Sequence, residues 1–153
     1  MSLNGRVFLQ YWLPILAWAA LIFSASTDLG SVKHTSRIIG PILKWAFPDI
    51  TDERIQQIQL GVRKTGHGME YAILAGLIWR ARNRTTGGIL KRWPQAIGWQ
   101  AWMAATAYAA SDEYHQSFYP SREASVRDVM IDSTGAAVGL GLIFLWGRFR
   151  KRW

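Results

Sequence analysis

Counting the adjoining helix ends, every Asp and Glu in this chain falls on one side of a map drawn by its apolar stretches. Four stretches, roughly 7–26, 66–79, 94–111 and 129–146, read as membrane spans. The segments that would share one face (Arg6, 80–92 and 148–152) hold ten Lys/Arg and no acid. The opposite face, 27–64 and 112–128 with the neighbouring span ends, holds the other eight bases and all ten acids. A soluble basic protein has no reason to sort its charges in this way, whereas membrane proteins gather Lys/Arg on the cytoplasmic side. The chain is therefore expected to be all-α, an integral membrane bundle of four transmembrane helices.

Apolar residues make up 50% of the sequence, and nine are Trp. The mean hydropathy is nevertheless close to zero, because the connections and span ends are polar. A soluble helical domain using basic patches on nucleic acid is the competing class. The run 97–110 contains one Gln and one Thr, and 136–147 is wholly uncharged, where a surface helix would carry a polar stripe. No nucleic-acid partner is expected. Cysteine is absent, so neither a disulfide framework nor a thiol nucleophile enters.

The bases fix a topology. Arg80, Arg82, Arg84, Lys91 and Arg92 belong inside, as do Arg6 and the basic tail from Arg148, so both termini are expected in the cytoplasm. Trp12, Trp79, Trp93, Trp146 and Trp153 sit near span ends, as interfacial aromatics do. The first stretch, with Ser24-Ala25-Ser26 at its end, also resembles a signal peptide, but it is longer than a usual signal core and a retained helix is favoured. Between the first two spans, Ile38, Ile42 and Trp45 recur at helical spacing opposite Lys33, Arg37 and Lys44. That pattern suits an amphipathic helix in the outer interface, broken or bent near Gly40-Pro41. Thr51 is a plausible N-cap for the next helix, whose stripe is Ile55, Ile58 and Val62. With no repeat or linker, residues 1–153 form one domain.

Three clusters carry chemistry. In a helix Lys64, His67 and Tyr71 share one side, with Glu70 bordering it. Asp112, Glu113 and Gln116 lie at the outer end of the third span. Arg122 precedes Asp128, Asp132, Gly135 and Gly139, spaced by four, three and four, so two carboxylates continue as a glycine stripe. Small residues at that spacing let membrane helices approach closely, which turns the carboxylates toward protein. Ionisable groups at such depth either pair with one another or line a polar site.

The pattern Lys64-x-x-His67-x-x-x-Tyr71, then Ser111-Asp-Glu113-x-x-Gln116, Pro120-Ser-Arg122 and Asp128-x-x-x-Asp132-x-x-Gly135-x-x-x-Gly139, resembles the VanZ-like membrane proteins. It covers about residues 64–141, half the chain. The resemblance implies a bacterial cytoplasmic-membrane protein in a family whose founding member is associated with teicoplanin resistance. One departure is Asp132, where the family often has Asn; an extra carboxylate there speaks against assuming identical chemistry.

A family phenotype is not a reaction, so chemistry must come from the residues. Glu113 and Asp128 are the candidate general acid and base, with His67 as proton shuttle. Lys64, Glu70, Tyr71, Asp112, Gln116, Arg122 and Asp132 are the candidate binding residues. Such a paired-carboxylate site suits hydrolysis or transfer on a lipid-linked envelope substrate. Binding an amphiphilic envelope glycan or lipoglycopeptide without chemistry uses the same acidic, aromatic pocket, in which Tyr71, Tyr114 and Tyr119 can contact sugars. A salt-bridge scaffold and a small transporter are the alternatives. A lone His among scattered carboxylates is a weak metal signal, so neither metal nor cofactor is expected. Membrane lipid is the obligatory partner, and a homodimer is compatible with so small a bundle.

Overall fold

The computed structural model describes residues 3–27, 32–85, 93–119 and 124–153. All regular structure among them is helical. The chain begins with α1 (Leu3–Val7), passes through a π-helical turn (Phe8–Trp12) and continues as α2 (Leu13–Ala25). Then come α3 (Val32–Ala46), α4 (Asp52–Thr85), α5 (Gln95–Gln116) and α6 (Val126–Phe149).

The ends of these helices are written locally. Thr51 Oγ1 accepts from Arg54 N at 3.3 Å, and Asp52 and Glu53 occupy the first turn of α4. Ser125 caps α6 by accepting from Arg127 N at 3.1 Å, with Asp128 in the first turn. Acids there meet the positive end of the helix dipole. Beyond α6 the chain turns back at Lys151, whose φ is 52°, and Arg152 N reaches Gly147 O at 2.9 Å. Trp153 consequently lies on Gly147, where any side chain would collide with the indole.

Helices α4, α5 and α6 make the core, and α4 and α6 share the most extensive interface. On α5 the buried positions run Ile97, Ala101, Ala105 and Ala109, one every four residues. Tyr71, Leu74 and Ala75 of α4 and Ala136 and Leu140 of α6 meet this stripe. The α4–α6 seam is backbone against backbone: a Cβ on Gly135 would lie 2.6 Å from Gly68 Cα, and one on Gly139 would lie 2.6 Å from Ala72 O. Gly135 and Gly139 on α6 thus meet Gly68 and Ala72 on α4, and one turn on Gly76 makes room for the Ile143 side chain. The first helix is pinned alongside by Trp18 Nε1, donating to Glu70 O at 2.9 Å, and by Tyr108 Oη, donating to Ala19 O at 2.7 Å.

Two stretches, Gly5–Ala25 and Val126–Phe149, are long and apolar enough to cross a membrane, where the sequence led us to expect four. Only 6% and 22% of their most apolar windows is buried, so most of that apolar surface faces outward. They turn Leu13, Leu16, Leu21, Val138, Leu142 and Leu145 outward. Helices α4 and α5 fall short for a chemical reason. The middle of α4, with Lys64, His67 and Glu70, and the last turns of α5, with Asp112 and Glu113, carry the acids and bases of the polar clusters. At about 51 Å for its 34 residues, α4 also exceeds a hydrocarbon core of ~30 Å.

The expected break or bend near Gly40-Pro41 is not a break: α3 runs through Pro41, which removes a single backbone donor. In the stripe Ile55, Ile58 and Val62, Ile55 is buried and the other two are exposed. Lys44 ties α3 to the start of α4 through Asp52 at 2.8 Å, and Ile42, Trp45 and Phe47 point outward.

Candidate functional site

The same stripes that pack the core turn polar at one end of the bundle. Past Ala109, the buried face of α5 continues as Asp112, Glu113 and Gln116. Before Ala136, the buried face of α6 is Asp132, with Asp128 one turn earlier. On α4 the corresponding positions above Tyr71 are His67 and Lys64. Three helices packed on small residues therefore bring their acids together.

Part of the cluster is internally satisfied. Lys64 Nζ lies 2.6 Å from Asp128 Oδ1 in a half-buried ion pair. Asp112 Oδ2 accepts from Ser26 Oγ at 2.6 Å and from Gln116 Nε2 at 3.0 Å, and all three side chains are buried. Glu113 Oε2 accepts from Ser125 N at 2.9 Å, so it helps to hold the start of α6. Burial raises the Glu113 pKa above the ordinary carboxylate value, and the charges of Asp128 and Asp112 add to that. The Ser125 N–H and Arg63 oppose the shift. His67 Nδ1 is 3.9 Å from Glu70 Oε2, close enough for an ion pair when the imidazole is protonated.

The rest is not satisfied. Asp132 is 1% exposed, and among the described residues neither of its carboxylate oxygens has a hydrogen-bond partner. The fully buried Tyr71 hydroxyl lies within hydrogen-bonding reach of the Asp112 carboxylate, so these two groups can satisfy each other. Asp132 is within electrostatic reach of Glu113, Asp112, Asp128 and Glu70, and Tyr71 lies beside Asp112 and Asp132. Buried acceptors are almost always hydrogen-bonded, so an unfilled group needs an explanation. The arrangement has a surplus of acceptors and can take up a donor-rich or cationic group. Among the described residues no group of three or more His, Asp or Glu is placed to hold a metal ion.

A family model described as VanZ/LLP1 matches residues 11–147. The chain belongs to the VanZ/LLP1 family. The match extends well beyond the motif-bearing half and takes in the first apolar helix, whose end carries Ser26. No curated protein and no solved structure matches the chain. Family membership and the two apolar helices together indicate a membrane protein.

Of the residues expected at the site, Lys64, His67, Glu70, Tyr71, Asp112, Glu113, Gln116, Asp128 and Asp132 lie at this end of the bundle; Arg122 lies outside the described residues. Tyr71 sits beneath the cluster rather than at its surface, whereas Tyr114 is exposed. Two members were missed. Ser26 reads as part of a cleavage motif, although a small hydroxyl at the end of an apolar helix is itself a signal. Ser125 was overlooked, although Ser three residues before Asp128 marks a cap.

Proposed function

We propose that this VanZ-family chain is a four-span protein of the bacterial cytoplasmic membrane, with both ends inside. Its outward acidic cluster binds the donor-bearing polar part of an amphiphilic envelope molecule or lipoglycopeptide. The sorting of ten bases against ten acids supports that orientation, with α3 lying in the outer interface through Trp45 and Phe47. The observation that carries the binding function is Asp132, buried beside Asp112 and Tyr71 and without a hydrogen-bond donor among the described residues. A structural network would have no use for an acceptor left empty at this depth, since that costs stability. Lys64, Asp128, Ser26, Gln116 and Asp112 then hold the frame, while Asp132 faces the ligand.

A second function, acid–base chemistry by Glu113, Asp128 and His67, is favoured by the raised proton affinity of Glu113. Growth assays separate the two. Expressed in a glycopeptide-sensitive bacterium, the wild-type chain should raise the teicoplanin concentration that arrests growth, and Asp132→Asn should not, at equal amounts of inserted protein. If Glu113→Gln keeps the protection while Asp132→Asn loses it, binding is upheld and proton transfer by Glu113 is not. An unaltered threshold with the wild-type chain would remove the antibiotic link.

A further inference from the structure

Away from the acidic cluster, α5 and α6 part along their outer faces to leave a groove of about 720 Å³. Trp93, Gly98 and Trp102 form one wall, and Ala137, Gly141 and Phe144 the other. Its walls are set by sequence. Gly98 admits the Trp93 indole, whose nearest atoms would lie 3.3 Å from a Cβ there, and Gly141 leaves open space where a side chain would stand. Trp102 is fixed by donating Nε1 to Ser133 O at 3.1 Å, and Thr106 and Ser133 share a 2.9 Å hydrogen bond beside it.

From Ser133 to Phe144 the groove follows α6 for roughly 16 Å, about half of a ~30 Å hydrocarbon core. That is the depth of one leaflet. At its basic end it runs into a second recess of about 440 Å³, which shares Trp93, Gln95 and Phe144 and adds Arg148 and Trp153. Arg150 and Arg152 are occupied over the Trp146 ring, at 5.4 and 4.7 Å. The Arg148 side chain has no hydrogen-bond or ion-pair partner among the described residues. An apolar slot of single-leaflet depth ends at an uncommitted guanidinium.

We infer that this groove is a binding site for an anionic phospholipid, with one acyl chain between α5 and α6 and the phosphate at Arg148 and Gln95. Guanidinium and phosphate match in geometry as well as charge, and the indoles of Trp93 and Trp153 sit at headgroup level. The site goes beyond the proposed function and relies only on the chain's residence in a membrane.

Native mass spectrometry of the detergent-purified protein tests it, with dioleoyl phosphatidylglycerol and dioleoyl phosphatidylcholine as probes. The wild type should hold phosphatidylglycerol in preference. Arg148→Gln should weaken that lipid by about fivefold, the effect of one basic residue near an anionic headgroup, and should leave phosphatidylcholine unchanged. Gly141→Leu, which projects into the open groove rather than into the bundle, should reduce both lipids. Ala137→Leu should do the same from a neighbouring exposed position. Asp132→Asn should leave lipid occupancy as it was, which separates this site from the acidic one. Equal retention of the two lipids by the wild type would overturn the inference. So would unchanged phosphatidylglycerol binding in Gly141→Leu and Ala137→Leu, since the acyl chain would then lie elsewhere.

Discussion

Lys64 and Asp128 meet at 2.6 Å across the α4–α6 seam, while Asp132, one turn further along α6, is buried with no donor among the described residues. Two carboxylates of one helix face thus have opposite fates. The first is consumed in holding the helices together, and the second is left for something else. Lys64→Met should therefore act mainly on stability. It strands Asp128 in a half-buried position, for a loss of about 1–3 kcal/mol, between the values for exposed and fully buried pairs. Chemical or thermal unfolding in detergent measures it, and a change within error of zero would place the pair among exposed ones.

The α4–α6 seam gives a sharper structural prediction. Gly135→Ala drives a methyl into the Gly68 backbone, which has no flexible end to yield, so the helices must part. The loss should reach or exceed the ~1–3 kcal/mol usual for overpacking. Gly141→Ala, on the same helix with open space at its Cβ, should change stability by less than about 0.5 kcal/mol. Comparable melting of the two variants would contradict the packing described.

These features differ in how far the sequence displayed them. Asp128, Asp132, Gly135 and Gly139 were legible because four-, three- and four-residue steps define one helix face without any knowledge of its partner. The identity of that partner, Gly68 and Ala72, needed the fold. The role of Ser26 was hidden because its bond to Asp112 joins residues 86 positions apart. The unbroken α3 shows the limit of proline as a signal, since Pro41 removes a single backbone donor and the helix continues past it. The groove was invisible, being a property of the angle between two helices rather than of either one. Four spans were read from charge sorting, while length and apolarity single out only the first and last helices, because the site itself makes α4 and α5 polar.

Ser26→Ala removes a buried donor from Asp112 Oδ2 and loosens the first helix from α5. The expected loss is about 1–3 kcal/mol. Ser24→Ala is the comparison, because its hydroxyl is exposed and bonds only its own helix, at Ala20 O. A difference of less than ~0.5 kcal/mol between the two variants would show that the first helix does not complete the cluster.

Glu113 should give the protein an unusual pH dependence. Its folded-state pKa is raised, so the folded protein holds this proton more tightly than the unfolded chain does. Stability from this group therefore falls as pH rises from its unfolded pKa through its folded one, and is recovered on acidification. Glu113→Gln stays neutral and can still accept from Ser125 N. It should melt no lower than the wild type at pH 7, and its stability should vary less between pH 7 and 5. A wild type that loses more stability than Glu113→Gln on acidification over this range would reverse the sign.

The most direct test of the central claim is the shift in melting temperature that teicoplanin produces in the purified wild-type protein and in Asp132→Asn. Asn keeps the shape of Asp132 but removes the buried carboxyl, so without ligand the variant should melt at the same temperature or higher. A ligand at a hundred times its dissociation constant stabilises the folded state by about 2.7 kcal/mol. The account predicts a clear upward shift for the wild type and its loss, or a reduction by at least half, in Asp132→Asn. Equal shifts in the two proteins, or none in the wild type, would contradict it.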